Sequence, residues 1–243
     1  MGKKIIIGDI HGCSSEFRSL IYQISPKPED QIILLGDLID KGPDPAGVVA
    51  FAREIGAKMI QGNHEERALR WLGHETKHLA TGKVNPMTVS EDQAAEWRSL
   101  SADDVAYLSA APWNMDLGDN FLAVHGGLVP GVPLEKQKVG TALRLRYLSA
   151  EGKFCAIGPE CEAPEGAVDW QDKYDGPHSL VVGHAVHSLT DPRVDRFSDG
   201  REIWNLDTGC VHGGRLTALI LQTREVVQVQ AEREYSPRKG ASE

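Results

Sequence analysis

The sequence lacks any apolar run long enough to cross a membrane, which needs about 20 residues, and it has no low-complexity tract. Its first residues, Met-Gly-Lys-Lys-Ile-Ile-Ile-Gly, lead directly into a strand-like segment and do not have the pattern of a signal peptide. We therefore expect a cytoplasmic protein with no membrane partner. With 243 residues, of which 41% are hydrophobic and 25% charged, the chain is long enough to bury a large core.

Cysteine is scarce, and its spacing excludes the common cysteine motifs. The four cysteines, Cys13, Cys155, Cys161 and Cys210, form no C-x-x-C pair, so neither a zinc ribbon nor a thioredoxin-like redox motif is indicated. Because the chain has no secretion signal, we expect free thiols. A local disulfide between Cys155 and Cys161 remains the alternative.

Basic residues are also fewer than acidic residues. The chain has 26 Lys and Arg against 35 Asp and Glu, a formal net charge of −9. This balance disfavours general nucleic-acid binding, which depends on a basic surface. An anionic substrate would be repelled by the overall field, so its binding would require a local positive centre such as metal ions.

Apolar and amphipathic segments alternate in the first quarter of the chain. Strands are predicted at residues 3–7, 31–35 and 57–60, and helices between them at 16–24 and 45–55. This order of strands and helices is typical of parallel strands in an α/β domain.

After residue 64 the pattern is less regular. Helices are predicted at residues 65–72, 91–100, 102–110 and near 141–148, and strands at 121–124, 180–182, 202–206, 216–222 and 226–230. Residues 73–90 are polar and interrupted by Gly and Pro, which predicts a loop within an insertion spanning about 65–112. No segment has the composition of a linker, so we predict a single domain over 1–231 and a flexible tail over 232–243.

Polar side chains follow or precede glycine at the ends of five predicted strands. The segments are Gly8-Asp9-Ile10-His11-Gly12, Gly36-Asp37-Leu38-Ile39-Asp40, Gly62-Asn63-His64-Glu65, His125-Gly126-Gly127 and Gly183-His184. Taken singly, Asp37 is an ordinary turn residue, Asn63 an ordinary helix cap and His125 an ordinary core histidine. Ligands bind at the carboxyl ends of parallel strands, and carboxylate, amide and imidazole groups together suit a pair of transition-metal ions. The set as a whole therefore predicts a dinuclear metal site.

The motifs GDxHG, GDxxDxG, GNHE, HGG and GH, present in this order, resemble those of the calcineurin-like metallophosphoesterases. The resemblance covers about residues 3–222 and is to the branch that contains protein Ser/Thr phosphatases and diadenosine tetraphosphatases. It implies an α/β fold, a β-sandwich of two mixed sheets flanked by helices in four αββα layers. It also implies two divalent metal ions, Mn²⁺ first with Fe, Co²⁺ or Zn²⁺ as alternatives, bound by Asp9, His11, Asp37, Asn63, His125 and His184.

The same resemblance implies catalytic roles for two further residues. Asp37 would bridge the metal ions, and His64, paired with Asp40, would protonate the leaving oxygen. A hydroxide held between the two ions would attack phosphorus in line. None of the motifs offers an obvious protein nucleophile, and no phosphoenzyme is needed.

Phosphate contacts are implied for Asn63, Lys41 and Arg146, with Arg144 an equal alternative to Arg146. Lys41 stands where the protein phosphatases of this family have an arginine. Because lysine offers a point charge rather than a bidentate fork, we expect a different phosphate contact here.

Four longer stretches are closer to the diadenosine-tetraphosphatase-like members: GDLIDKGPD, HGGLVPGVPLEKQ, LRLRYL and LDTGCVHGGRLTALIL. They favour a metal-dependent hydrolase of dinucleoside polyphosphates or polyphosphate, a phosphorylated small molecule. The first alternative is a Ser/Thr protein phosphatase, with phosphoproteins as partners. The second, of a different class, is a noncatalytic metal-binding scaffold.

Overall fold

The computed structural model describes residues 2–155, 163 and 165–237. The strands in this part of the chain are β1 (Lys4–Ile7), β2 (Gln31–Leu34), β3 (Lys58–Met59), β4 (Asn114–Gly118), β5 (Phe121–Val124), β6 (Tyr147–Leu148), β7 (Phe154–Cys155), β8 (Val168–Asp169), β9 (Ser179–Val182), β10 (Arg193–Arg196), β11 (Glu202–Asn205), β12 (Arg215–Ile220) and β13 (Glu225–Gln230). The helices are α1 (Ser14–Ile24), α2 (Pro45–Glu54), α3 (Asn63–Thr81), α4 (Glu91–Arg98), α5 (Ala102–Ser109) and α6 (Val139–Ala142).

The first sheet has the strand order β13-β12-β1-β2-β3. Strands β1, β2 and β3 are parallel, whereas β12 runs antiparallel to β1 and β13 antiparallel to β12. Helices α1 and α2 connect the parallel strands, as the alternating pattern predicts. The carboxyl ends of β1, β2 and β3 therefore lie along one edge of the sheet.

The second sheet has the order β10-β11-β9-β5-β4. Its central strands β11, β9 and β5 are parallel, and the edge strands β10 and β4 are antiparallel to their neighbours. Both sheets are thus mixed, which confirms the α/β sandwich expected from the sequence.

The apolar side chains of the strands alternate between two cores. Ile6 of β1 belongs to the cluster between the sheets, together with Val181 and Trp204 of the second sheet. Its neighbour Ile5 points the other way, into the cluster that includes Phe17 of α1. Successive residues of a strand face opposite sides, so a continuous apolar strand is buried on both faces.

The outer face of the second sheet is covered by short elements. Leu122 and Leu180 of that sheet pack in one cluster with Trp170 and Leu148. The covering segments are the four-residue helix α6 and a small antiparallel sheet of order β7-β6-β8. This fourth layer of the predicted αββα arrangement therefore consists of short pieces rather than long helices.

Two predicted segments differ from the structure. The loop expected over 73–90 is wrong in its first half, because α3 continues to Thr81 and ends at Gly82, which has φ 71°. Gly73 lies on the exposed face of that helix, where it is tolerated. The helix expected near 141–148 is limited to Val139–Ala142, and Tyr147–Leu148 instead pairs with β7 and β8. Here tertiary pairing overrides the local helical preference.

The first part of the predicted flexible tail is attached to the domain. The backbone N–H of Glu232 and the hydroxyl of Tyr235 both donate to Glu16 Oε1, at 3.0 and 2.8 Å. Tyr235 N–H also donates to the Val211 carbonyl at 3.0 Å. The ordered chain thus extends beyond residue 231, while residues 238–243 lie outside the described part and the single-domain boundary remains a prediction.

Cys13, Cys155 and Cys210 are free thiols, as predicted, and Cys161 lies outside the described residues. Within the described ranges, no helix has both the length and the apolarity that a membrane span requires.

Candidate dinuclear metal centre

Loops at the carboxyl ends of β1, β2, β3, β5 and β9 bring the candidate metal ligands together. Each of these ligands follows its strand within a few residues, so the strand ends determine where the side chains lie. Five of the six are buried: Asp9, His11, Asp37, His125 and His184. Buried charged and polar side chains need hydrogen-bonding or ionic partners, and here the candidate ligands provide these interactions for one another.

Asp37 is at the centre of the cluster. Its Oδ2 lies 3.6 Å from His11 Nε2, 3.3 Å from His125 Nε2 and 3.9 Å from His64 Nε2. Two groups of side chains could each hold a metal ion, one with His11 and His64 and the other with His125 and His184, and Asp37 is common to both. A carboxylate shared by two such groups suits a bridging ligand.

The histidine tautomers fit metal binding. His11 Nδ1 lies 2.9 Å from the Ile39 carbonyl and His125 Nδ1 lies 2.8 Å from the Leu35 carbonyl. A carbonyl oxygen only accepts, so both Nδ1 atoms carry a proton, and the Nε2 atoms are the ones that face Asp37 and would bind a metal ion. A backbone carbonyl that orients the imidazole in this way is typical of metal-ligating histidines. The donor set present therefore fits a pair of divalent cations.

The electrostatics of the centre depend on opposing effects of burial and charge. Burial would raise the pKa of the Asp37 carboxyl, but nearby imidazoles, that of His125 foremost, outweigh it and hold this pKa well below its usual range. Burial would lower the pKa of His125, but the carboxylates of Asp37 and Asp9 raise it to about 10. The charged imidazole of His125 thus helps to keep the Asp37 carboxyl ionised.

Asn63 and Asp9, the remaining two candidate ligands, contact histidines of this cluster. Asn63 Oδ1 lies 3.1 Å from His125 Nε2. The backbone N–H of His184 donates to both carboxylate oxygens of Asp9, at 3.1 and 3.0 Å. Asn63 is the first residue of α3 rather than its cap, which is Gly62, so its side chain is free to point into the centre.

Two cationic side chains lie against the imidazoles of the centre. Lys41 Nζ donates to His11 Nε2 at 2.9 Å, and Arg146 Nε donates to His184 Nε2 at 3.2 Å. Burial lowers the pKa of both histidines well below their usual range, and these cations lower it further. Lys41 and Arg146, two of the three candidate phosphate-binding residues, are thus adjacent to the candidate metal ligands.

Arg144, the alternative to Arg146, has a different partner. Its Nη2 lies 2.5 Å from Glu66 Oε2 on α3. Arg146 by contrast also donates to the His184 carbonyl at 2.8 Å. Arg144 Nη2 also donates to the Asn63 backbone carbonyl at 3.5 Å, so of the two arginines Arg146 is the one that contacts the side chain of a candidate ligand.

His64 and Asp40 form a hydrogen-bonded pair through His64 Nδ1 and Asp40 Oδ2. Helix α4, within the predicted insertion, holds the carboxylate: Trp97 Nε1 donates to Asp40 Oδ1 at 2.6 Å, and Gln93 Nε2 donates to Oδ2 at 3.2 Å. Glu96 accepts the Asp40 backbone N–H at 2.9 Å. Burial, then the nearby Asp40 carboxylate, raises the pKa of Glu96 to about 7.

These three residues of α4 were not among the residues predicted from the sequence. Their helix has an ordinary mixture of polar and apolar positions, and Asp40 lies more than fifty residues earlier, so no local pattern marks them. Only the packing of α4 against the centre reveals their role.

Glu65 is a further residue without a predicted role, although it lies within a recognised motif. It is fully buried, with 0% exposure, and its carboxylate accepts the backbone N–H groups of Asp37 at 2.8 Å, Leu38 at 2.8 Å and Gly62 at 3.0 Å. A Glu three residues after a helix cap is a known capping signal, which could have identified part of this role. Glu65 fixes the turn that carries Asp37.

We expect Glu65→Ala to destabilise the fold by about 3 kcal/mol or more, because it leaves several buried N–H donors without an acceptor. Chemical denaturation measures the loss in free energy of unfolding. The exposed Glu54 on α2 provides the control, and Glu54→Ala should change stability by less than about 0.5 kcal/mol. Equal effects of the two substitutions would contradict the role assigned to Glu65.

The backbone of the centre is strained. Five of its non-glycine residues have positive φ, with values of 46°, 51°, 68°, 69° and 69°, in the order His11, Asp37, Asp40, Lys41 and His184. Each such residue lowers the stability of the folded state by of order 1–3 kcal/mol, and backbone strain of this kind clusters at functional sites. Gly183 is required for a related reason, because a Cβ there would lie 2.1 Å from Asp9 Oδ1.

Known proteins resemble the chain over most of its length. The model of the calcineurin-like phosphoesterase family matches residues 3–204. The asymmetrical bis(5'-nucleosyl)-tetraphosphatase PrpE of Oceanobacillus iheyensis is 27% identical, covering 96% of this chain and 94% of the relative. The symmetrical bis(5'-nucleosyl)-tetraphosphatase of Chromohalobacter salexigens is 28% identical, covering 90% of this chain and 94% of the relative.

Two solved structures also resemble the chain. A crystal structure named as that of a "putative diadenosine tetraphosphatase" superposes with a TM-score of 0.77 at 28% identity, covering 95% of this chain and 94% of that one. A protein serine/threonine phosphatase from Saccharomyces cerevisiae, at 15% identity and a TM-score of 0.53, shares the fold alone.

Proposed function

Because the chain belongs to the calcineurin-like phosphoesterase family, we propose that it is a hydrolase of dinucleoside polyphosphates or a related phosphoanhydride. The observation that carries the proposal is the position of Asp37, whose Oδ2 is shared by the imidazoles of two candidate metal groups. The full-length relatives named as tetraphosphatases support the substrate class.

Six residues would hold the metal pair: Asp9, His11, Asp37, Asn63, His125 and His184. When bound, two divalent cations supply Lewis-acid chemistry, which polarises phosphoryl oxygens and lowers the pKa of water. We propose Mn²⁺ as the native ion, although the same oxygen and nitrogen donors suit Fe, Co²⁺ or Zn²⁺.

Lys41, Arg146 and Asn63 bind the phosphate groups of the substrate. Lys41 and Arg146 border the metal ligands from the sides of His11 and His184, so a phosphate bound there would receive hydrogen bonds from two directions. The net charge of −9 makes such local cations necessary for an anionic substrate.

His64 delivers a proton to the leaving oxygen. Its Nδ1 is engaged by Asp40, so its Nε2 is the atom that faces the centre, 3.9 Å from Asp37 Oδ2. Asp40 holds the tautomer and orientation of the ring, as a carboxylate does for a catalytic imidazole. Trp97, Gln93 and Glu96 act indirectly, by positioning Asp40.

We propose symmetrical cleavage of diadenosine tetraphosphate to two molecules of ADP, in the cytoplasm. The relatives have names of both kinds, symmetrical and asymmetrical, so the position of cleavage is a distinct question from the substrate class.

A substrate panel with metal analysis tests the proposal. Purified protein loaded with Mn²⁺ is incubated with diadenosine tetraphosphate, polyphosphate, phosphoserine peptides and p-nitrophenyl phosphate, and products are separated by chromatography. We expect ADP from the dinucleotide, at a higher kcat/KM than phosphate release from the peptides. A clear preference for phosphopeptides would instead identify a protein phosphatase, and a metal-loaded protein inert to every substrate would identify a noncatalytic scaffold.

A further inference from the structure

A second group of buried side chains with metal-binding atoms lies next to the loop that carries His11. Cys13 caps the start of α1, Glu16 is in the first turn of the same helix, and Cys210 precedes β12. All three are at most 1% exposed. One ligand atom from each lies within 4.8 Å of the other two. The proposed hydrolase does not use any of these side chains.

The carboxylate of Glu16 has one oxygen without a partner. Oε1 accepts from the Tyr235 hydroxyl and the Glu232 backbone N–H, at 2.8 and 3.0 Å. Oε2 is buried and has no hydrogen bond within the described residues. Leaving a buried carboxylate oxygen unpaired is costly, so such an atom indicates a water or an ion at that place.

The charges near Glu16 favour a cation over a neutral molecule. In the part of the chain that the structure describes, Glu16 forms no ion pair with a basic side chain. The carboxylates of Glu16 and Asp207 both act on the Cys210 thiol and help to raise its pKa, after the larger effects of its hydrogen bond with Cys13 and of burial. A positive ion would offset this excess of negative charge.

We propose that Cys13, Cys210 and Glu16 bind a third metal ion, a thiophilic divalent cation of the Zn²⁺ class. Thiolate sulfur selects such ions, whereas the oxygen and nitrogen donors of the dinuclear centre accept a wider range. The two sites would therefore differ in metal as well as in position.

Binding a metal ion would require only a small movement of these three side chains. Zinc binds cysteine sulfur at about 2.3 Å and carboxylate oxygen at about 2.0–2.2 Å, which puts tetrahedral ligand atoms roughly 3.5–3.8 Å apart. The atoms here are within 4.8 Å of one another, so movement of about 1 Å brings them to binding distance. Each thiol gives up its proton to solvent as the metal–sulfur bond forms, and water completes the fourth position.

A cation at this place would brace two parts of the molecule. Cys13 is two residues after His11, and its thiol lies 3.7 Å from the His11 carbonyl, so the ion would stabilise the loop that carries a dinuclear ligand. Through Glu16 it would also fix the segment that contains Tyr235.

Sulfur-to-metal charge transfer tests the proposal independently of any activity, because the dinuclear centre contains no sulfur ligand. The reduced, metal-free chain is titrated with Cd²⁺ or Co²⁺, and the ultraviolet spectrum and metal content are measured. We expect a saturable thiolate charge-transfer band and three ions per chain. Cys13→Ser with Cys210→Ser should abolish the band and leave two ions, while Cys155→Ser, which changes the half-buried free thiol, should preserve both.

Glu16→Gln keeps both thiols and should weaken cadmium binding roughly 10- to 100-fold, as the loss of a supporting group does at other metal sites. Together with the wild-type titration, this variant tests the third metal site even when the double cysteine variant does not fold. Absence of a charge-transfer band in the wild-type protein, a band that persists without the two cysteines, or a Cys13–Cys210 disulfide in the protein as isolated would each overturn the third site. None of these outcomes bears on the hydrolysis of phosphoanhydrides.

Discussion

Asp37→Asn is expected to lower kcat/KM for diadenosine tetraphosphate by about a thousandfold or more. A metal pair supplies several kcal/mol of transition-state stabilisation, and each 1.36 kcal/mol corresponds to a factor of ten in rate. Asn removes the charge that both candidate metal groups share. It keeps the shape of the side chain, tolerates the φ of 51°, and retains the oxygen that accepts the His64 backbone N–H. Steady-state kinetics and metal analysis on the same preparation measure the effect.

Asp44→Asn is the matched control for this substitution. Asp44 is an exposed aspartate that caps α2 by accepting the Gly47 N–H at 2.9 Å, and Asn caps helices equally well. Its variant should keep full activity and both metal ions. Normal turnover and metal content in Asp37→Asn, with circular dichroism unchanged, would rule out a bridging role for Asp37.

His64→Asn is expected to reduce kcat for diadenosine tetraphosphate about a hundredfold, within the range that general acid catalysis contributes. The Asn amide can still donate to Asp40, but it has no proton to give to the leaving oxygen. p-Nitrophenolate is a stable leaving group that needs little protonation, so hydrolysis of p-nitrophenyl phosphate should fall much less. The ratio of the two rates is the measured quantity.

Measuring the metal content distinguishes a general-acid role of His64 from a metal-ligand role, which the geometry also allows. His64 belongs to one of the two groups that could hold a metal ion, together with His11 and Asp37. If His64 is the acid, its Asn variant keeps two metal ions per chain and loses rate only. A variant that loses an ion and slows equally on both substrates would show that His64 is a ligand and would contradict its assignment as the acid.

The strands and the clustering of the candidate metal ligands could be predicted because their signals are local. A continuous apolar strand such as Ile5–Ile7, followed by glycine and a carboxylate, is typical of a buried parallel strand with a functional residue at its end. The parallel order then brings Asp9 and Asp37 to one edge without any further information. The sequence pattern alone therefore predicts that Asp37 lies within the site.

The parts that could not be predicted depend on contacts between distant segments. Trp97 is an ordinary apolar residue in sequence, and its hydrogen bond to Asp40 exists only because α4 packs on the centre. The pairing of Tyr147–Leu148 with two neighbouring strands is likewise a tertiary effect. Positive φ at His11 and Asp37 depends on the loops around them, because Asp and His adopt it more readily than most residues but no local pattern requires it.

The attachment of α4 to Asp40 also limits how this family member can diverge. Segments inserted between strands are usually the parts that evolution replaces most freely, because they lie at the surface. Here the segment between β3 and β4 also supplies the indole that donates to Asp40, the carboxylate paired with the proposed acid His64. In a chimera that received the corresponding segment of a relative, unless the donor carried an equivalent of Trp97, Asp40 would lose its indole donor and the proposed acid His64 would be poorly oriented.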